Sequence, residues 1–579
     1  MIEAFRLNVL RFKSKSQISF SRVVNSFQNT RSYHYSKNGN DNSSGNSNGN
    51  SNGSQYKYHE YFRITDKYRM KISLSVAIGV NYYVFSSFSL IENQTFQTKL
   101  FTPEQVSRHN KKEDCWIVID NKIYDITEFL GNHPGGASVL LKYAGRDATE
   151  IFSKIHSMDV IARRLSTSDC IGELVGSFPK VEEEEETVKE FIGTRNLENG
   201  VPPISLIFNL SDFEFIAKKV LPKTAYTYYA TGSDDEFTLR ENHHAYSRVY
   251  FRPKILTDVT NVDISTKFLD TEVQVPIYIT AFAGSRMAHP DGELNLLKAA
   301  EKEGIIHMVP YQLSFPFTDY MKEVKSGQDQ WCQLHFYSRE EIENIGEQLA
   351  KYEKYKTVKA ICINVDLASL GNRERDDKVR YEFDKDGSLD EFTSASDNRP
   401  CLTWTDIDRI KKLTNIPIIL KGVQRAEDVI LALEHGLNGV ILSNHGGRQL
   451  DFSKAPLEVL SEVHRATKGG ILLPTNFNIF IDGGIRRGSD IIKALCLGAT
   501  GVGLGRPFLF SISGYGEEGA IKVIQILKND MIRSMKLLGV SKISELNADL
   551  IDTNMLTFRN RHADKLYDQV YEQLPFPTC

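Results

Sequence analysis

The chain has 579 residues, too many for one small core, so two or more folded units are expected besides whatever does not fold. Its 70 Lys and Arg against 74 Asp and Glu leave a formal net charge of -4, and 41% apolar and 10% aromatic residues are ordinary for a soluble protein, with nothing basic enough to suggest a nucleic-acid partner. Seven cysteines, Cys115, Cys170, Cys332, Cys362, Cys401, Cys496 and Cys579, show no CxxC or other metal spacing, so buried thiols are expected and not disulfides or metal ligands.

In chain order, residues 1–37 carry Arg6, Arg11, Lys13, Lys15, Arg22, Arg31 and Lys37 with Glu3 as the only acid, the composition of a mitochondrial transit peptide. Residues 38–54, "NGNDNSSGNSNGNSNGS", are Asn/Gly/Ser low complexity and cannot bury a core, so a linker is expected. The run "ISLSVAIGVNYYVFSSFSLI" (72–91) has about the length that crosses a bilayer, softened by Ser, Asn and Tyr. Behind a matrix-type presequence it reads as a sorting signal cleaved on the intermembrane-space side, with a permanent anchor as the alternative. Residues 1–91 are therefore expected to be presequence, linker and sorting segment.

Residues 99–178 mix short strands and helices, and "EDCWIVIDNKIYDITEFLGNHPGG" (113–136) followed by "IFSKIHSMDVI" (151–161) places His133 and His156 on separate elements flanking an apolar segment. Two unrelated surface histidines are the plain alternative. The pair, the HPGG turn and the aliphatic lining resemble the cytochrome b5 haem fold, which implies iron held from both faces by His133 and His156 and no open position for substrate. The acidic run "KVEEEEETVKE" (180–190) repels itself, so residues 179–199 are expected to be a solvated hinge.

From residue 200, apolar strand-like runs alternate with helical stretches, ending at Ala283, Pro310, Phe336, Asp366, Gly422, His445, Gly484 and Pro507. Eight such units predict a (β/α)8 TIM barrel over 200–560, whose chemistry gathers where the strands end. "SNHGGRQLD" (443–451) lies at the sixth end. "FIDGGIRRGSD" (480–490) and "GVGLGRPF" (501–508) offer glycines for close approach to a phosphate, with Arg486, Arg487 and Arg506 to neutralise it. Lys421 follows five apolar residues in "IPIILKG" (416–422), where a buried cation could hold the charge of a reduced flavin. Residues 561–579 are expected to be a tail.

With "YYATGSDDEFTLRENHHAYSR" (228–248), "KGVQR", "SNHGGRQLD", "DGGIRRG" and "LGRP", residues 205–560 resemble the FMN-dependent L-2-hydroxy-acid oxidase and dehydrogenase family. The resemblance implies FMN in the barrel, haem b in the cytochrome b5-like domain, His445 as the base with Asp366 orienting it, and Arg448, Arg373, Tyr228 and position 335 at the substrate. It implies flavin contacts at Ser314, Gln333, Lys421, Asp482, Gly483, Gly484, Arg486, Gly505 and Arg506. It further implies L-lactate oxidation to pyruvate in the mitochondrial intermembrane space, cytochrome c as acceptor and a homotetramer. Against the family's usual pattern stand His335 in "WCQLHFY" where a tyrosine is usual, Asn364 in "INVD" for a threonine, Phe282 in "TAFAG", and the loop "QLSFPFTD" (312–319). Another 2-hydroxy acid such as mandelate, or a diverged electron-transfer paralogue with little turnover, are therefore the alternatives.

Overall fold

The computed structural model describes residues 99–133, 137–178, 200–382, 401–470 and 473–558, all within one compact unit, Gln97–Cys579. The expected presequence, linker, sorting segment, acidic hinge and tail, and Pro134 to Gly136 of the HPGG turn, lie outside the described residues. Among the described residues no helix is long and apolar enough to cross a membrane.

The N-terminal part is a six-stranded sheet with short helices. Its longest strand, Asp114–Ile119, alternates as a two-sided strand must: Cys115, Ile117 and Ile119 face one core with Tyr124, Ile126 and Leu130, while Val118 packs with Val106 and Ile123 on the other face. A strand buried on both faces cannot be solvated, so the helices have a surface to cover. Thr149–Ile155 lies against the first of these cores and ends at His156. The turn Leu130–Asn132 ends at His133.

The second part is a closed barrel of eight parallel strands, Ile277–Ile279, Ile306–Val309, Gln330–Leu334, Val358–Asn364, Ile418–Val423, Gly439–Leu442, Asn478–Asp482 and Gly501–Leu504. Period-2 alternation divides their side chains. Tyr278, Met308, Trp331, Cys362, Ile419, Ile441 and Phe480 fill the lumen, and Ile279, Val309, Leu334, Ile363, Leu420, Leu442, Ile481 and Leu504 belong to the outer core shared with the helices. A hairpin, Thr266–Phe268 with Thr271–Val273, plugs the N-terminal end by inserting Phe268 against Phe480 (ring centroids 5.1 Å apart) and Tyr278 (6.3 Å). Truncating a fully buried ring such as Trp331 to Ala would cost about 3–5 kcal/mol. With one end plugged and the lumen packed, the open mouth is left at the carboxyl ends of the strands.

Four cysteines, Cys115, Cys332, Cys362 and Cys496, are buried free thiols, but Cys170 and Cys401 are exposed. The expectation of burial fails for those two because each lies at the start of its element, Cys170 at the first position of a strand and Cys401 ahead of the helix Trp404–Lys412.

Candidate functional site

A cavity of about 460 Å³ opens at the carboxyl ends of the barrel strands. It is built from the sixth strand outward. His445 leaves that strand with φ 57°, a left-handed conformation that costs a non-glycine residue about 1–3 kcal/mol. Its N–H donates to Ser443 Oγ (3.1 Å), and Gly447 N donates to Asn444 Oδ1 (3.1 Å). Asn444 is in turn locked to Asn242 by reciprocal amide bonds of 2.7 and 2.8 Å. Gly447, φ 75°, admits no side chain, since a Cβ would stand 2.6 Å from the Leu239 backbone. Asp451 closes the loop by accepting from Phe237 N and Thr238 N at the start of the helix Phe237–Ser247.

The loop presents His445 over the mouth with Nδ1 3.2 Å from both oxygens of Asp366. The imidazole is a quarter exposed and the carboxylate is buried, at 1%. Burial lowers the His445 pKa; the Asp366 charge opposes this without overcoming it, and Lys421 adds to the lowering. Burial alone would raise the Asp366 carboxyl, but His445 and Lys421 together hold it below the usual carboxylate range. The result is a neutral imidazole beside an ionised carboxylate, with Nδ1–H oriented and Nε2 left to accept a proton.

Arg448 lies three residues on, its Nη1 donating to the carbonyls of Tyr228 (2.6 Å), Thr231 (3.2 Å) and Tyr229 (3.4 Å). Burial first, and then the charge of Arg373, bring its guanidinium down to about 9. Arg373 Nε is itself buried without a hydrogen-bond acceptor. A buried Arg448 guanidinium beside a second, half-buried arginine forms a site in which a carboxylate would offset the repulsion.

On the other side of the mouth Lys421 Nζ lies 3.3 Å from Ser443 Oγ and 3.6 Å from Asp482 Oδ2. Burial works against this ammonium, but Asp482 and Asp366 outweigh it and raise its pKa. Gly483, Gly484, Gly505, Arg486 and Arg506 line the end near strands seven and eight. Burial lowers the Arg486 pKa and, with Arg486 as a neighbour, brings Arg506 to about 10. Arg506 also ties the mouth together, its three nitrogens donating to Tyr229, Gly446 and Thr231 carbonyls at 2.8–2.9 Å. Gln333 accepts from Tyr311 N (3.2 Å) and donates to Asn364 Oδ1 (3.3 Å).

Tyr228, Gln333, His335, Arg373, Lys421, His445, Arg448, Asp482, Gly483, Gly484, Arg486, Gly505 and Arg506 thus meet in one cavity. Asp366 stands behind His445. Ser314 does not reach the cavity: its hydroxyl donates to Glu293 Oε1 (2.9 Å), a carboxyl whose pKa burial raises, and Tyr311 and Gln312 of the same loop line the mouth instead. Phe282, Asn364 and His335, the departures noted in the sequence, all line it as well.

The cradle fits a flavin mononucleotide. Glycines and two arginines stand where strands seven and eight offer phosphate-binding backbone, a buried cation stands on strand five, and two buried polar atoms, Thr280 Oγ1 and Asn364 Nδ2, lack protein partners. Thr280 was not singled out in the sequence; a polar residue ending an apolar strand run was its only signal.

The N-terminal domain holds a second cavity, of about 180 Å³, lined by Ile117, Ile119, Leu140, Ile151, His133 and His156 among others. The two imidazole centroids are 6.1 Å apart. An imidazole nitrogen sits about 2 Å from a bound metal, so each ring centre lies about 3 Å from it, and one iron fits between the two rings. No group of three or more His, Cys, Asp and Glu that could hold a metal occurs among the described residues, so the remaining ligands would be porphyrin nitrogens. The aliphatic lining fits haem. Tyr228, Ala283 and Gln312 line both cavities.

Residues 217–553 match the FMN-dependent dehydrogenase family model, and residues 102–175 match that of the cytochrome b5-like heme/steroid binding domain. The chain is 45% identical over 518 residues to an L-lactate dehydrogenase (cytochrome) from Wickerhamomyces anomalus, covering 87% of this chain and 88% of the relative. It is 42% identical to a protein of the same name from Saccharomyces cerevisiae, covering 81% and 83%. A mutant flavocytochrome b2 solved with pyruvate bound superposes with a TM-score of 0.58 at 42% identity, over 69% of this chain and 99% of that one. With this barrel, this mouth and these matches, the chain belongs to the FMN-dependent dehydrogenase family and carries a cytochrome b5-like haem domain ahead of its barrel.

Proposed function

We propose that the protein oxidises an L-2-hydroxy acid, L-lactate to pyruvate, and passes the two electrons singly through haem b to cytochrome c. The observation that carries the reading is the placement of His445–Asp366 and the Arg448–Arg373 pair in the cavity that fits FMN. When bound, FMN accepts an electron pair and haem b relays electrons one at a time. The substrate gives up two electrons and two hydrogens; His445 Nε2 takes one hydrogen as a proton, and the other would pass with the electron pair to FMN. Asp366 stabilises the imidazolium that results. Arg448 and Arg373 hold the substrate carboxylate, with Tyr228 and His335 beside it. Lys421 supplies the positive charge that a reduced flavin ring requires, and Arg486 and Arg506 with Gly483, Gly484 and Gly505 hold the phosphate end.

The reading extends to the mitochondrial intermembrane space, supported by the basic composition of residues 1–37 and the apolar run 72–91. It extends to a homotetramer on resemblance alone, and to residues 179–199 as a hinge on their charge. His335 favours a second reading, a pocket adjusted to a different 2-hydroxy acid: it is buried at 8% and its ring centroid lies 4.2 Å from that of Tyr337. Holoenzyme with cytochrome c as acceptor, offered L-lactate, glycolate and mandelate, should turn over L-lactate fastest. Faster mandelate turnover would replace lactate in the reading, and binding of both cofactors without flavin reduction by any of the three would overturn it.

A further inference from the structure

Two arginines cross between the haem domain and the barrel, one in each direction. Arg164, last in the helix Asp159–Arg164 that follows His156, places its Cζ 3.0 Å from the ring centroid of Tyr337. Arg286, in the turn Ser285–Met287 after the first barrel strand, donates from Nη1 to the carbonyl of Ser153 (3.1 Å), inside the helix that ends at His156. The first contact has a further consequence in the substrate pocket. Tyr337 lines the barrel cavity with His335 and Tyr311, its ring 4.2 Å from His335 and stacked 6.4 Å from Tyr311. A guanidinium held over an aromatic face prefers that ring to water once both are partly desolvated.

We propose that Arg164 and Tyr337 are positioning residues, a cation–π latch that registers the haem domain on the barrel mouth and ties that register to the wall of the 2-hydroxy-acid pocket. The proposal rests on the function inferred above for its physiological meaning. Electron tunnelling falls steeply with distance, so losing the register slows transfer from flavin to haem and leaves the flavin's own reduction alone. One electron leaves the reduced flavin and reduces ferric haem to ferrous, with no other reactant.

The test is Arg164→Leu in the full-length holoenzyme, with haem and FMN content checked by absorbance. Deazaflavin photoexcited with EDTA as sacrificial donor delivers the electrons, so the measurement does not depend on any hydroxy acid, and flavin-to-haem transfer is read as the first-order phase whose rate is independent of protein concentration. Transfer to haem should slow roughly fivefold or more, substrate-driven reduction of a small dye should be unchanged, and Arg164→Lys should recover part of the loss. Amide hydrogen exchange, which needs no turnover, should rise in Arg164→Leu at residues 153–156 and 336–338. Tyr337→Leu should slow transfer as well and also change KM, and the double variant should be no slower than the worse single one. Unchanged transfer and exchange in Arg164→Leu, or additive losses in the double variant, would overturn the latch. A wild-type protein that no hydroxy acid reduces, in which Arg164→Leu still slows transfer, would sink the proposed function and leave the latch standing.

Discussion

The two cavities treat charge in opposite ways. Around His133 and His156 the haem domain contributes Ile117, Ile119, Ile126, Leu140 and Ile151, and among the described residues Arg164 is the only Asp, Glu, Lys or Arg that lines the space. The barrel mouth buries Lys421, Asp482, Asp366, Arg448 and Arg506 within one network. A site that only moves electrons needs stable ligands and a low dielectric. A site that also binds an anion and takes a proton must hold charge in place before the substrate arrives, which is costly unless each charge is paired or hydrogen-bonded. On the proposed function both contain a histidine whose surroundings select its job: an apolar wall suits an imidazole to act as a ligand, and a buried carboxylate suits it to act as a base.

The largest break in this comparison comes from the haem side. His133→Ala or His156→Ala should abolish the low-spin haem spectrum while flavin absorbance persists, because His133 and His156 are the only imidazoles among the described residues that line that cavity; a low-spin haem kept in both variants would refute bis-histidine ligation. Next in size is the base. His445→Gln should retain bound FMN and lower turnover by about 10²–10⁴-fold, read by stopped-flow flavin reduction. Arg448→Lys should be milder and fall on binding, raising KM by roughly 10–100-fold, since a point charge replaces a planar fork.

The smallest effect is a displaced titration. Because burial lowers the His445 pKa, the acid limb of kcat/KM should lie below the ordinary imidazole value of about 6.5, with activity falling as pH drops through it. Asp366 opposes that lowering, so Asp366→Asn should move the limb lower still while slowing the reaction. A limb that moves upward would contradict the assigned pairing.

Much of this is legible in the sequence. Each of the eight expected strand-run ends lies within a few residues of a barrel strand's end, because a strand buried on both sides must read as a short apolar run whose polar break marks the mouth. His445 and Arg448 are separated by two glycines in a loop that only a left-handed backbone can make, and the glycines announce it. Ser314 misled because a serine in a mouth loop has the same local signature whether it faces the cavity or, as here, Glu293. The exposed Cys170 misled because it opens its strand, after the polar residues Ser166 to Asp169, where no apolar run covers the thiol.

By itself, then, the sequence determined the barrel, whose short apolar runs carry strand periodicity, while the roles of His133, His156, His445 and Arg448 rest on the resemblance that its short motifs carry. Only the tertiary structure decided that Asn242 locks Asn444, that Asp451 caps a helix more than two hundred residues earlier, that Arg506 spends its nitrogens on three carbonyls, and that Arg164 reaches Tyr337. These pairings join segments far apart in the chain, and their partners are chosen by how the helices and loops pack over the barrel mouth, a property no local pattern carries.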